Sequence, residues 1–227
     1  MSSPEILYED NHLIIVNKRV GEIVQGDKTG DEPLVKSVAK FIAKRDSKPG
    51  DAFLGLPHRL DRPVSGVTLF AKTSKGLVRM NEIFRTGTVK KIYWAIVTKL
   101  PPKEEDVIVH YLSRNEKQNK SHAHFKPKSG AKEAKLRYKL IGASDKYYLL
   151  EVELLTGRHH QIRCQLAAIG SPIKGDLKYG APRSNPNGGI SLHAKSLKFT
   201  HPVKKEEIYI EAPLPDDNLW NYFSDIK

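Results

Sequence analysis

In the stretch GLPHRLDRPVSGV, residues 55–67, one carboxylate, Asp61, sits between two guanidinium groups, Arg59 and Arg62. Positive charge on both sides lowers a carboxyl pKa. Asp61 is therefore suited to be a nucleophile, a base or an ion-pair partner rather than a proton donor at neutral pH. A buried Arg–Asp pair that only fixes a loop fits the same pattern. Ser65 beside His58 raises Ser–His nucleophilic catalysis, but RPVSGV is not a G-x-S-x-G elbow and no oxyanion-hole motif accompanies it. His122 and His124, in SHAHF, fall on one side of an extended chain with no nearby Asp or Glu to complete a metal site. A solvated loop suits them better. The chain has no Walker loop, G-x-G-x-x-G fingerprint or paired zinc ligands, so no cofactor and no metal are expected.

A second charged cluster opens RHHQIRCQLAAIG, residues 158–170, where Ile162, Leu166 and Ile169 form a helical stripe and Gly170 a stop. If the first helical turn carries Arg158, His159 and His160, positive charge meets the positive end of the helix dipole, which suits a bound phosphate or carboxylate. Alternatively the helix begins one turn later and Arg158 is an exposed loop residue.

Other elements must hold these groups. EILYEDNHLIIVNK reads as two short strands around an Asp-Asn turn. DEPLVKSVAKFIAKRD reads as a helix with Asp31 as cap, Pro33 in the first turn, and Leu34, Val35, Val38, Phe41 and Ile42 inward. GVTLFAKT is a strand. SKGLVRMNEIFRTG is a helix capped by Ser74 and stopped by Gly87, with Leu77, Met80 and Phe84 inward. TVKKIYWAIVTK is strand-like, and AKLRYKLIG and KYYLLEVELL are neighbouring antiparallel strands joined by a turn at 143–145. The polar segment between, centred on SRNEKQNKSHAHFKPKSG, is expected to be a mobile basic loop. The pattern predicts an α+β fold on a mixed, largely antiparallel sheet.

The 227 residues suffice for a full core and are expected to form a single domain. Thirty-eight Lys and Arg against 26 Asp and Glu leave +12, which favours a polyanionic partner such as nucleic acid. The apolar runs fall short of the roughly 18–20 residues of a membrane span, and MSSPEILYED has no basic or apolar leader pattern. A single cysteine, Cys164, rules out a disulfide framework and makes a reducing cytoplasm the default.

HRLDRPVSGV resembles the H-R-L-D-x-x-[ST]-S-G signature of the RluA family of pseudouridine synthases, which isomerise uridine within RNA. ILYEDNHLIIVNK is similar to that family's first strands, KKIYWAIV to its K-x-Y-x-A strand, and LHAKSLKFTHPV to its penultimate strand. LLTGRHHQIRCQLAAIGSPIKGDLKYG resembles its T-G-R-x-H-Q-I-R segment with the trailing G-D-x-x-Y-G. The five motifs occur in order over roughly residues 5–212. The resemblance implies that Asp61 is the catalytic carboxylate, that Arg59 fills the stack vacated by a flipped uridine, that Tyr93 packs on the uracil, and that Arg163 pairs with the carboxylate. Since Tyr93 alternates with Trp94 along a strand, only one of the two can face a pocket.

Val64 stands where Thr is commonest in the signature, and Arg19-Val20 where the family usually has Pro-Ala. Neither touches a chemical role, so both bear on substrate choice. The match starts near residue 5, so no N-terminal S4-like RNA-binding domain is expected, and RNA grip falls to the catalytic domain. The basic segment 113–135, with Lys117, Lys120, Lys126, Lys128, Lys132 and Lys135, is the expected contributor together with Arg59, Arg62, Arg158 and His159. The expected protein is thus a monomeric, cofactor-free, cytoplasmic enzyme acting on ribosomal or transfer RNA. A catalytically silent RNA-binding module on the same fold would leave Asp61 dispensable. A metal-dependent ribonuclease is disfavoured by the lack of clustered acidic ligands.

Overall fold

The computed structural model describes residues 3–225. In chain order the elements are β1 (Ile6–Glu9), β2 (Leu13–Lys18), α1 (Leu34–Arg45), β3 (Ser65–Ala71), α2 (Ser74–Arg85), β4 (Lys90–Val97), β5 (Glu105–Asn115), β6 (Lys120–His124), β7 (Lys132–Ala143), β8 (Tyr148–Leu154), α3 (Gln161–Ala168), a one-turn 3-10 segment Leu177–Tyr179, β9 (Leu192–Thr200), β10 (Glu207–Glu211) and α4 (Asn218–Ser224). This is an α+β fold on a largely antiparallel sheet, as the sequence predicted. The chain divides into two compact units, residues 1–90 with 194–213 and residues 91–193 with 214–227.

In the first unit the strands run β1-β2-β3-β9-β10. The β1–β2 turn is fixed by Asp10, whose Oδ1 accepts the backbone N–H of His12 at 2.7 Å and of Leu13 at 2.8 Å. β2 pairs with β3 from Leu13↔Ala71 to Lys18↔Gly66, and every β3 side chain is buried. Met80, Leu77, Ile83 and Phe84 of α2 pack on Leu13, Ile15, Val67 and Leu69. The cap of α2 is Thr73 rather than Ser74, because its Oγ1 is the group that accepts the Gly76 N–H, at 3.0 Å. α1 starts at Leu34 behind Pro33 with no side-chain cap, since Asp31 is engaged elsewhere. Its buried stripe is Leu34, Val38, Ala39, Ile42 and Ala43, leaving Val35 and Phe41 at the margin.

The second unit orders its strands β4-β8-β7-β5-β6, all antiparallel. The expected basic loop is instead the β5–β6 hairpin. Ile108, His110 and Leu112 of β5 point inward, with Ser121 and Ala123 of β6, while the alternate residues face solvent. α3 covers this inner face through Cys164 and Ala167, which pack with Leu112, Ala134 and Tyr179. The other face is closed by α4, capped by Asp217, whose Trp220 and Phe223 pack on Trp94, Ile96 and Leu149. α3 begins at Gln161, so Arg158, His159 and His160 precede its first turn.

Candidate active site

Asp61 lies in the loop that leads into β3, at the start of a tight turn closed by the Val64 N–H on the Asp61 carbonyl at 3.0 Å. The device that holds this turn is Lys18, the last residue of β2. Its ammonium is fully buried and donates to three carbonyls, those of Arg19 at 3.0 Å, Arg62 at 3.1 Å and Val64 at 2.6 Å. The Gly21 N–H also donates to the Arg62 carbonyl, at 3.0 Å. Burial pushes the Lys18 pKa down to about 8, while the Glu22 and Asp61 carboxylates pull it back up. A Lys in this position supplies three donors to a turn whose carbonyls have no strand partner, and it adds positive charge beside the carboxylate.

Gly66, one residue into β3, accounts for the glycine of the signature. Its φ is +113°, and a Cβ there would stand 2.3 Å from the Ala194 carbonyl oxygen of β9. Only glycine allows that approach directly behind the Asp61 turn. His58 is occupied structurally: its Nε2 accepts the Leu69 N–H at 2.9 Å, and its ring stacks on Phe84 at 4.9 Å between centroids. With that lone pair committed, Nε2 cannot take a proton from Ser65, which argues against the Ser–His reading.

Both arginines beside Asp61 are exposed and reach the same loop. Arg59 Nη1 donates to Gln25 Oε1 at 3.2 Å, and Arg62 Nη2 pairs with Asp31 at 2.6 Å.

In the second unit, Tyr93 and Trp94 take opposite faces of β4. Trp94 belongs to the core under α4, and Tyr93, partly buried, shares with Val152 and Tyr138 the face on which α3 packs. Arg163 projects from α3 and is itself buried. Its Nε and Nη2 donate to the two carboxylate oxygens of Asp176 at 2.7 and 2.9 Å, with both side chains at most 6% exposed. Its guanidinium lies 5.2 Å from the centre of the Tyr179 ring. Tyr179 hydroxyl accepts the Ser121 N–H at 2.8 Å, which leaves its own hydrogen for His160 Nδ1 at 3.0 Å. Burial pushes the Tyr179 phenol up to about 12, so it keeps that hydrogen at neutral pH.

His160 caps α3 with φ of +51°, a left-handed backbone uncommon outside glycine. The Tyr179 bond and the stack on His159, 3.8 Å between centroids, hold it there. Strain of this kind costs about 1–3 kcal/mol and persists only where neighbours over-determine it. Of the expected RNA-binding residues, Arg158 donates to the Glu133 carbonyl at 2.9 Å from an exposed position. His159 bonds Ser121 Oγ at 2.9 Å, and Lys120 stands 5.2 Å from the Tyr179 ring. Lys126 is exposed beyond the end of β6. Among the described residues no group of three or more His, Cys, Asp or Glu could hold a metal ion, and no helix is long and apolar enough to cross a membrane.

Residues 12–168, which contain Asp61, Tyr93 and Arg163, match the family model described as RNA pseudouridylate synthase. The chain belongs to this family. Ribosomal large subunit pseudouridine synthase C of Vibrio parahaemolyticus is 34% identical over 218 residues, covering 92% of this chain and 65% of that protein. The protein of the same name from Buchnera aphidicola is 33% identical, covering 97% of this chain and 70% of its own length. The chain thus spans about two thirds of the length of the curated relatives it matches. Among solved structures, human RNA pseudouridylate synthase domain containing 4 superposes with a TM-score of 0.76 at 25% identity, covering 98% of this chain and 92% of that one.

Two residues of this chain escaped the sequence reading, Lys18 and Asp176. A lysine closing the apolar run LIIVNK was the signal for the first, and the Gly-Asp of GDLKYG for the second.

Proposed function

We propose that the protein isomerises uridine to pseudouridine within ribosomal or transfer RNA, without a cofactor, after flipping the uridine out of its stack. The match over residues 12–168 carries this reading, because it includes the Asp61 turn that Lys18 and Gly66 hold in place. In the reaction the N1–C1′ glycosidic bond breaks, the uracil turns, C5 bonds to C1′, the C5 proton leaves to solvent and N1 gains one. Asp61 supplies the carboxylate that the reaction needs. Arg59 fills the vacated stack, a task for which a planar guanidinium that both stacks and hydrogen-bonds is suited. Tyr93 supplies a ring for the uracil, and Arg163 serves the carboxylate while Asp176 fixes its orientation. Lys120, Lys126, Arg62, Arg158 and His159 contact phosphates, in keeping with the net charge of +12. The protein acts as a monomer in the cytoplasm.

The test is to incubate the purified protein with unmodified transcripts of transfer RNA and of large-subunit ribosomal RNA. Pseudouridines are then mapped by carbodiimide adducts that stop reverse transcription. New stops at defined uridines in one class identify the substrate. Binding of both classes without any new stop would instead favour a silent RNA-binding module.

A further inference from the structure

The segment QGDKTGD, residues 25–31, is exposed throughout, yet its base is fixed. Ile23 and Val24 are buried, and their carbonyls accept the Leu34 N–H at 2.7 Å and the Val35 N–H at 3.3 Å. From that base the loop reaches both arginines that flank Asp61, Gln25 taking Arg59 and Asp31 taking Arg62. Thr29 organises the tip: its hydroxyl donates to Asp27 Oδ1, its N–H donates to the same oxygen at 2.8 Å, and the hydroxyl oxygen lies 3.3 Å from Asp31 Oδ2. That bonding from Thr29 holds the Asp27 carboxyl below its usual range. Gly26 and Gly30, the latter at φ of +78°, let the tip change course without disturbing the base.

Resting on the RNA-directed reading above, we propose that this loop is an internal stand-in for RNA. The Asp31 carboxylate occupies on Arg62 the place that a backbone phosphate takes when RNA binds, and Gln25 holds Arg59 until that exchange occurs. A carboxylate and a phosphate compete for the same guanidinium fork, so RNA must displace Asp31 to gain the contact. The loop thereby sets how strong a polyanion must be to reach the carboxylate at position 61. An exposed ion pair biases such an exchange by roughly one-and-a-half- to five-fold.

The proposal predicts coupling between two positions. Affinity for a fluorescein-labelled, uridine-containing stem–loop RNA is measured at one fixed salt concentration for wild type, Asp31→Asn, Asp27→Asn, Arg62→Gln and the Asp31→Asn/Arg62→Gln double variant. Asp27→Asn reports the general gain from removing one negative charge in the same loop. Asp31→Asn should bind about two- to five-fold more tightly than Asp27→Asn, and that excess should vanish in the Arg62→Gln background. An Asp31→Asn gain equal to that of Asp27→Asn, or one that survives without Arg62, overturns the proposal. So does weaker binding by Asp31→Asn, which would make Asp31 an organiser of Arg62 for RNA rather than a competitor. Wild-type protein that binds no RNA would remove the RNA-directed reading as well. Wild-type protein that binds and isomerises while showing no coupling removes this inference alone.

Discussion

Removing the Asp176 carboxylate should be among the most damaging single changes outside the Asp61 turn. The Arg163–Asp176 pair is 6% and 1% exposed and joined by two charge-assisted bonds at 2.7 and 2.9 Å. Asp176→Ala removes both of the charge-assisted bonds that Asp176 makes to a buried guanidinium, and breaking a buried pair in this way typically costs about 3–5 kcal/mol. Against a usual total of about 5–15 kcal/mol, that is a large share of the folding free energy. The pair itself is not intrinsically stabilising, because two desolvated charges often do no better than apolar groups of similar volume. Arg163→Met/Asp176→Leu should therefore recover most of the stability that Asp176→Ala loses, with no recovery of turnover. Urea denaturation gives the first quantity and pseudouridine formation the second. A loss below about 1 kcal/mol for Asp176→Ala, or turnover in the double replacement, would refute the reasoning.

Gly66→Ala should cost about 3–5 kcal/mol, combining a positive φ with a Cβ driven to 2.3 Å from the Ala194 oxygen; a urea midpoint close to wild type would contradict the close-approach argument. Lys18→Met removes the ammonium that serves the Arg19, Arg62 and Val64 carbonyls, of which Arg62 keeps the Gly21 N–H, and should lose about 3 kcal/mol at pH 7. Because burial lowers the Lys18 pKa to about 8, the unfolded chain holds more protons there between pH 8 and the ordinary lysine value of 10.5. The stability gap between wild type and Lys18→Met should accordingly widen as pH rises through that window, and a constant gap would count against a buried ammonium. The Arg45 guanidinium, helped by Lys72 against the effect of burial, holds Glu9 at about 2, so its contribution is complete above pH 4.5 and is lost as pH falls toward 2. Glu9→Gln should flatten that part of the acid-unfolding curve.

The elements read correctly from the sequence were those whose signals are local. β1 and β2 flank an Asp turn, and β3 and β8 are apolar runs. The β5–β6 hairpin was missed because β6 has Ser121 at its buried position and Lys120, His122 and His124 at the outward ones, while β5 exposes Val107 and Val109 and buries His110. Counting apolar residues therefore undervalues β6, and the in–out alternation of β5 is hidden. Asp31 has the spacing of a helix cap but is taken by Arg62, a partner that only the folded chain brings near. For the site, the charge pattern around Asp61 was legible, whereas Lys18 was not, since lysine is almost never fully buried and no local signal identifies the three carbonyls it serves.

The central claim is tested most directly by tritium release. RNA carrying tritium at uridine C5 is incubated with wild type and with Asp61→Asn, and the tritium that passes to water is counted. Forming the C5–C1′ bond displaces the C5 hydrogen, so release by wild type and none by Asp61→Asn is the predicted result. Equal release by both proteins would contradict the role given to Asp61, and no release by wild type from either transfer or ribosomal RNA that it binds would contradict the isomerisation.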